Sequence, residues 1–194
     1  MMRRYTSFRF YKNPAIKALL IGDSLVLTSI AMLTPIYAVF VSEAGGDLLD
    51  VGITAAALAF GSALAALLAG RVADKTRNKR RFVIIGYVIT GLGFLLFTTV
   101  HSIWYLAAIQ VVVGLVQAFA QPAYDALYSM HLDKGQEAEG WGAWEAVAYF
   151  AAGVGALGGA AIVSATNFST LFVMMAALCL VSAIYVSRIP QKTL

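Results

Sequence analysis

Six long apolar stretches alternate with short polar segments along the 194 residues of this sequence. A helix needs roughly 20 apolar residues to cross the hydrocarbon core of a bilayer, and each stretch meets or approaches that length. The pattern therefore predicts an all-α membrane protein, a bundle of six transmembrane helices. The expected spans are approximately residues 16–41, 51–70, 82–100, 103–130, 141–165 and 169–186.

The basic residues are confined to four short segments, and all four lie on one side of the predicted spans. Residues 3–17, 71–81, 134 and 188–192 together contain all 14 Lys and Arg residues. Cytoplasmic loops of membrane proteins carry an excess of these residues. We therefore expect an integral protein of the inner (plasma) membrane, with its N- and C-termini in the cytoplasm.

Composition favours a single membrane domain over residues 1–194. Hydrophobic residues make up 60% of the chain and charged residues 12%, whereas soluble domains average about 25% charged residues. The net charge of +4 comes from residues that flank spans, so lipid headgroups rather than nucleic acid are the expected contacts. The sequence has no Ser-His-Asp set, metal-ligand cluster or phosphate loop, so no enzyme activity, cofactor or metal is expected.

Three carboxylates fall within the predicted spans, each in the part nearest the cytoplasm: Asp23, Asp125 and Glu145. A carboxylate at membrane depth costs roughly 2.5–3.5 kcal/mol on insertion scales, so it normally faces a cavity or a partner and marks function. These residues are candidates for proton coupling or substrate binding. The alternative is a structural hydrogen bond near the membrane interface.

Polar side chains recur along one face of the fourth span. The spacing of three and four residues keeps them on a single helical face, where contact with lipid alone would leave them unsatisfied. They either line an aqueous cavity or bond to neighbouring helices. In the first span Pro35 predicts a kink near the outer end. The predicted cavity-lining residues are Thr28, Gln110, Gln117, Gln121 and Tyr124.

Small residues crowd the second and fifth spans, whereas the third and sixth are rich in Leu, Ile, Val and Phe. Small residues allow helix backbones to approach closely in lipid. We therefore expect spans two and five to be packing helices, and spans three and six to be outer supports that face lipid.

The polar segment 70–81, after the second span, resembles the signature between the second and third helices of the major facilitator superfamily. Arg77 and Asn78 depart from that signature. Gly22 and Asp23, with Pro35 further along, resemble the first helix of drug–proton antiporters in the same family. The residues that agree with the loop signature in identity or type are Gly70, Ala73, Asp74, Lys75 and Lys79.

The resemblance implies a fold and a role for this segment. The chain is similar to the N-terminal half of a family member, a six-helix half of a twelve-helix fold. In the family, the loop carboxylate latches the two halves together on the cytoplasmic side, and Asp125 is implied to join that charge relay. The implied latch residues are Gly70, Asp74, Lys75, Arg77 and Lys79.

A single six-helix unit supplies only one wall of the substrate site of such a transporter. Leaving that polar wall against lipid is costly, so we expect a second copy in parallel orientation. In this homodimer, span two of one copy packs against span five of its partner, with two-fold symmetry.

The predicted function is a secondary active transporter that works by alternating access, with proton-coupled export of a small amphiphilic or cationic solute. No span interior carries Lys or Arg, which disfavours an anionic small-molecule substrate. Two alternatives remain open. The chain is a non-transporting membrane assembly or regulatory module, or it is a half that needs a different partner half.

Overall fold

Helices account for nearly all of the residues described by the computed structural model, which are residues 13–75 and 78–190, without the side chains of residues 67, 73 and 74. These residues contain no strand, and six helical segments are long and apolar enough to cross a membrane. The predicted six-helix transmembrane bundle is therefore confirmed. The α-helices are α1 (Pro14–Leu33), α2 (Tyr37–Glu43), α3 (Leu48–Lys75), α4 (Lys79–Phe97), α5 (Ile103–Ser129), α6 (Glu137–Ala165) and α7 (Phe168–Arg188).

The first span is interrupted where the sequence places its proline. A 3-10 turn at Thr34–Ile36 separates α1 from α2, because Pro35 has no amide hydrogen and its ring clashes with the preceding turn. The helix is thus interrupted at the residue where the sequence predicts a kink. The short α2 segment is held by Phe40, whose ring packs edge-on against Phe172 and lies parallel to Phe97.

Polar caps set where several spans begin. The Asn13 side chain accepts hydrogen bonds from the amides of Ala15 and Ile16, with Pro14 at the first helical position. Ser102 caps α5 and Asn167 caps α7 in the same way. These side chains satisfy amides that the first helical turn leaves without partners.

The helices form an open arc in the order α3, α5, α4, α7, α1, α6. The contacts repeat after three spans, because α3 on α5 corresponds to α6 on α1, and α4 on α5 corresponds to α7 on α1. Such inverted three-helix repeats are a feature of transporter folds. We call the end at which α3 finishes and α4 begins the basic end, and the other the opposite end.

Glycines bring the helices at both ends of the arc close to their neighbours. A Cβ at Gly61 of α3 would lie 2.6 Å from the Val111 carbonyl oxygen of α5, and one at Gly155 of α6 would lie 2.6 Å from the Thr28 carbonyl oxygen of α1. The expectation that small residues serve close packing is met by these contacts within the chain. Gly52, Gly153 and Gly158 instead face open space.

The expected roles of the outer and packing spans need correction. In their most apolar windows, spans three and six have 44% of residues buried, whereas spans two and five have 17%. Spans three and six pack against each other and against spans four and one. Spans two and five stand at the ends of the arc. Each therefore makes extensive contact with one other helix and leaves a broad face uncovered.

Candidate functional site

Among the predicted site residues whose side chains are described, Asp23 is the most enclosed charged one, with 6% of its surface exposed. The Tyr87 hydroxyl of α4 donates a hydrogen bond of 2.8 Å to Asp23 Oδ1. The Trp144 indole Nε1–H of α6 donates a hydrogen bond of 2.8 Å to Asp23 Oδ2. Each carboxylate oxygen therefore has a donor from a different helix, and bonds to an ionised acceptor are stronger than neutral ones.

Tyr124 of α5 is part of this interior cluster and is not a wall of an open cavity, which corrects the prediction. Its side chain is 2% exposed, and its hydroxyl makes no hydrogen bond within the described part of the chain. The hydroxyl interacts electrostatically with Asp23. The fourth span turns this position toward packed helices, although Gln121 on the same helical face is exposed.

Asp125 lies near Asp23, and the two carboxylates interact electrostatically. Asp125 is half-buried, and its Oδ1 accepts a 2.8 Å hydrogen bond from Gln121 Nε2 one turn earlier. Glu145 follows Trp144 directly but is exposed, and it is not among the groups that interact with Asp23. The structure therefore brings together two of the three predicted carboxylates.

A cavity of about 210 Å³ opens between the first four spans, toward the opposite end of the bundle. Gln110 and Gln117 line it, as predicted for this face, together with Tyr37 and Thr34. Its lining is otherwise apolar, and it carries no acidic or basic side chain of a described residue. The apolar lining consists of Ile30, Leu33, Ala55, Leu58, Phe94, Phe97 and Val113.

A short hydrogen-bond chain closes one side of this cavity. Gln110 Nε2 donates to the Tyr37 hydroxyl over 2.9 Å, and that hydroxyl donates to Thr54 Oγ1 over 2.7 Å. Gln110 thus lines the cavity and also forms a hydrogen bond to a neighbouring helix. At this position the two alternatives for the polar face, cavity lining and helix–helix bonding, are both realised. Thr28, which was also predicted to line the cavity, is not part of this lining, and its hydroxyl donates to the Ser24 carbonyl within α1.

The implied latch segment is described only in part. Gly70 and Lys75 lie in the last turns of α3, and Lys79 begins α4. Arg77 and the side chain of Asp74 lie outside the described residues.

Arg80 is a residue of the basic segment that the sequence did not single out. Its Nε and Nη2 donate to the carbonyls of Val186 and Ser187, over 3.1 Å and 2.6 Å. At the C-terminal end of α7 the guanidinium adds a charged donor to these carbonyls, and the Val186 carbonyl also accepts from the Ile189 amide over 3.4 Å. These two bonds tie the first turn of α4 to the end of α7. No sequence signal identifies it, because the acceptors are main-chain atoms.

The donors to Asp23 were also missed, and the sequence carries only a coarse signal for them. Asp23, Tyr87 and Trp144 lie nine, eight and seven residues from the first residues of α1, α4 and α6, all of which start at the basic end. At 1.5 Å per residue, these side chains are at about the same depth. The predicted span starts at residues 16, 82 and 141 bring the three only within about 6 Å in depth, so the sequence alone places both donors among other aromatic residues near this end.

Comparison with known proteins agrees with this architecture. The chain is 27% identical over 173 residues to a "Proton-coupled antiporter flippase LtaA" of Staphylococcus haemolyticus (strain JCSC1435). That match covers 84% of this chain and 42% of the relative, so the chain spans less than half of the relative's length. A protein-family model described as "Major Facilitator Superfamily" matches residues 19–193 of the chain. The protein is therefore an integral membrane protein that belongs to the Major Facilitator Superfamily, a family of transporters.

Proposed function

We propose that this chain forms one half of a secondary active transporter that works by alternating access, and that a second, parallel copy supplies the other half. Asp23 takes up and releases the coupled proton. The substrate is a small amphiphilic solute, which is exported from the side of the basic segments. Those segments face the cytoplasm of a cell whose inner membrane holds the dimer.

The observation that carries this proposal is the uncovered side of the arc, beside the cavity. Spans two and five have the smallest buried shares in the bundle. Phe60 of α3 and Leu157 of α6 are 69% and 78% exposed. Ala55 is exposed on α3 and also lines the cavity, so the uncovered face of α3 borders that space. A unit placed against α3 and α6 would enclose it.

A second copy fits this side because the two helices with uncovered faces, α3 and α6, occupy corresponding positions in the two three-helix repeats. If α3 of one copy packs on α6 of the other, the same contact forms twice, as an isologous two-fold interface requires. Small exposed residues such as Ala59, Ala63 and Gly153 permit close approach. The relative is more than twice as long as its matched part, and the second copy would stand where that relative has its remaining residues.

Proton coupling rests on Asp23. It is an ionisable group in the membrane interior, with donors from two other helices, and such groups mark proton pathways in transporters. The name of the relative, a proton-coupled antiporter flippase, also supports proton coupling and an amphiphilic substrate. The cavity lining suits a substrate that has an apolar group and neutral hydrogen-bonding atoms, since Gln110 and Gln117 lie there among aromatic and aliphatic side chains.

Flux in proteoliposomes with an imposed pH gradient tests the transport proposal. The probes are ethidium, a lipophilic cation, and a fluorescent zwitterionic lipid. We expect gradient-dependent movement of at least one probe, and its loss in Asp23→Asn with assembly unchanged. The matched control is Asp133→Asn, an exposed carboxylate between α5 and α6, which should transport normally. Unchanged coupled flux in Asp23→Asn would remove Asp23 from the mechanism.

Disulfide crosslinking between two differently substituted chains tests the partner. In a Cys179→Ser background, Ala63→Cys on α3 is mixed with Gly153→Cys on α6, so that only a contact between copies can form the bond. Ile184→Cys on the exposed side of α7 replaces Gly153→Cys in the control, which should not crosslink. A transporting preparation that fails to crosslink at the first pair points to a different partner half.

A further inference from the structure

The two donors to Asp23 differ in what they can do when the carboxylate gains a proton. An indole N–H only donates, whereas a tyrosine hydroxyl donates or accepts. With a proton on Oδ1, the Tyr87 hydroxyl can turn and accept it. The Trp144 bond to Oδ2 then has a neutral acceptor, and it loses the added strength of a bond to a charge.

Trp144 is also the residue through which α6 touches this site. On its other side α6 has a broad uncovered face, and within the chain it packs mainly on α1. Close contacts of Gly155 with α1 lie further along the same helix. The bond between the indole and the carboxylate thus connects the basic-end part of α6 to α1, and a 2.7 Å bond from the Tyr128 hydroxyl to the Gly140 carbonyl connects the first turn of α6 to α5.

We propose that Trp144 couples the protonation state of Asp23 to the position of α6 against α1. Ionised Asp23 holds the basic-end part of α6 through the indole bond, and protonation releases it. The inference rests on the proposed proton site at Asp23 and assigns a positioning role to a residue that does not itself transfer the proton. By linkage, movement of α6 changes the proton affinity of Asp23 to the same extent.

Groups from each packed helix define the surroundings of Asp23. Tyr87 comes from α4, Tyr124 and Asp125 come from α5, and Trp144 comes from α6. From α7, the Ser182 hydroxyl donates to the carbonyl of Gly22, the residue before Asp23, over 2.6 Å. Tyr124 gives the site a buried hydroxyl without a hydrogen bond in the described part of the chain, and its oxygen is available to accept from the protonated carboxyl group.

The test follows Trp144 itself, in the full chain purified in detergent. The other tryptophans, Trp104 and Trp141, are replaced by Phe, which leaves one of the three indoles. Emission wavelength and acrylamide quenching are recorded from about pH 4 to about pH 9, the range over which a perturbed carboxyl group titrates. We expect one transition, with stronger quenching at low pH, and no transition in Asp23→Asn.

Tyr87→Phe removes the other donor and leaves the ring in place. One hydrogen bond to a charged group corresponds to a change of about one pH unit, so the midpoint of the transition should move up by about that amount. Tyr105→Phe, at the opposite end, should leave the midpoint unchanged. If Tyr87→Phe does not fold, the comparison of the parent with Asp23→Asn still decides the matter.

An emission and quenching profile that is flat with pH, or that is the same in Asp23→Asn, overturns the coupling. If the transition occurs in a protein that moves no probe, the coupling stands and the transporter proposal fails. If proteoliposomes show proton-coupled flux while Trp144 does not respond to Asp23, the transporter proposal stands and the coupling is rejected.

Discussion

Gly155→Ala should push α6 away from α1 and destabilise the bundle. The added Cβ would lie 2.6 Å from the Thr28 carbonyl oxygen and 2.7 Å from the Ala31 Cβ. Ordinary contacts of a Cβ lie at 3.4–4 Å. The closest neighbour is a main-chain atom of a helix, so no side-chain rotation relieves the clash, and the two helices must separate by a large fraction of an ångström.

The expected cost follows from this geometry. Adding a methyl group to a well-packed contact costs about 1–3 kcal/mol, and alanine returns up to about 1 kcal/mol through its greater helix propensity. The net loss in the free energy of unfolding therefore lies between about 0 and 3 kcal/mol, and we expect more than about 1 kcal/mol because the clash is with a main-chain atom. Gly158→Ala is the matched control, because a Cβ there meets nothing within 4 Å. It should be neutral or slightly stabilising.

Thermal unfolding of the two variants in the same detergent measures the difference. For a chain of this size, each kcal/mol shifts the midpoint by about 2–4 °C, so Gly155→Ala should unfold several degrees below the parent and Gly158→Ala should not. Equal midpoints for the two variants would refute the close packing of α6 on α1. A drop in Gly158→Ala alone would indicate that a different face of α6 is the packed one.

Other predictions concern the two ends of the bundle. Tyr37→Phe breaks the chain from Gln110 to Thr54 and should cost about 1–3 kcal/mol of unfolding free energy in chemical denaturation, since two bonds are lost; an unchanged midpoint would contradict those bonds. Arg80→Gln should lower stability by about 1–3 kcal/mol by removing charged donors from the end of α7, whereas the exposed neighbour variant Arg81→Gln should change it little. Equal effects of the two arginine variants would mean that their charge alone matters.

Much of the architecture could be predicted from local sequence. The length of an apolar stretch decides whether it can span a membrane, which is why six spans were recognised although the structure extends most of them at their ends. The kink at Pro35 depends on a missing amide hydrogen and is equally local. The segment 70–81 indicated the family because several of its residues agree with the family's loop signature in type and spacing, and because it follows the second span.

The site was only partly predictable, since its members come from separate spans. Asp23 could be identified from the sequence, because a carboxylate within an apolar span is costly and normally has a partner or a function. Its donors Tyr87 and Trp144 lie 64 and 121 positions away in sequence, and nothing local distinguishes them from aromatic residues at the membrane interface. Tyr124 shares a helical face with Gln121, yet it is buried because neighbouring helices cover one part of that face and leave the other open.

The sequence by itself determined that this chain lies in a membrane, crosses it with six helices and resembles half of a major facilitator. Hydropathy and span length suffice for that, because backbone groups in hydrocarbon must be satisfied within helices. Only the tertiary structure decided which helices stand at the ends of the arc, and which side chains reach Asp23. Those outcomes depend on the order in which the spans pack, which is set by close contacts such as Gly155 against Thr28, between residues far apart in the chain.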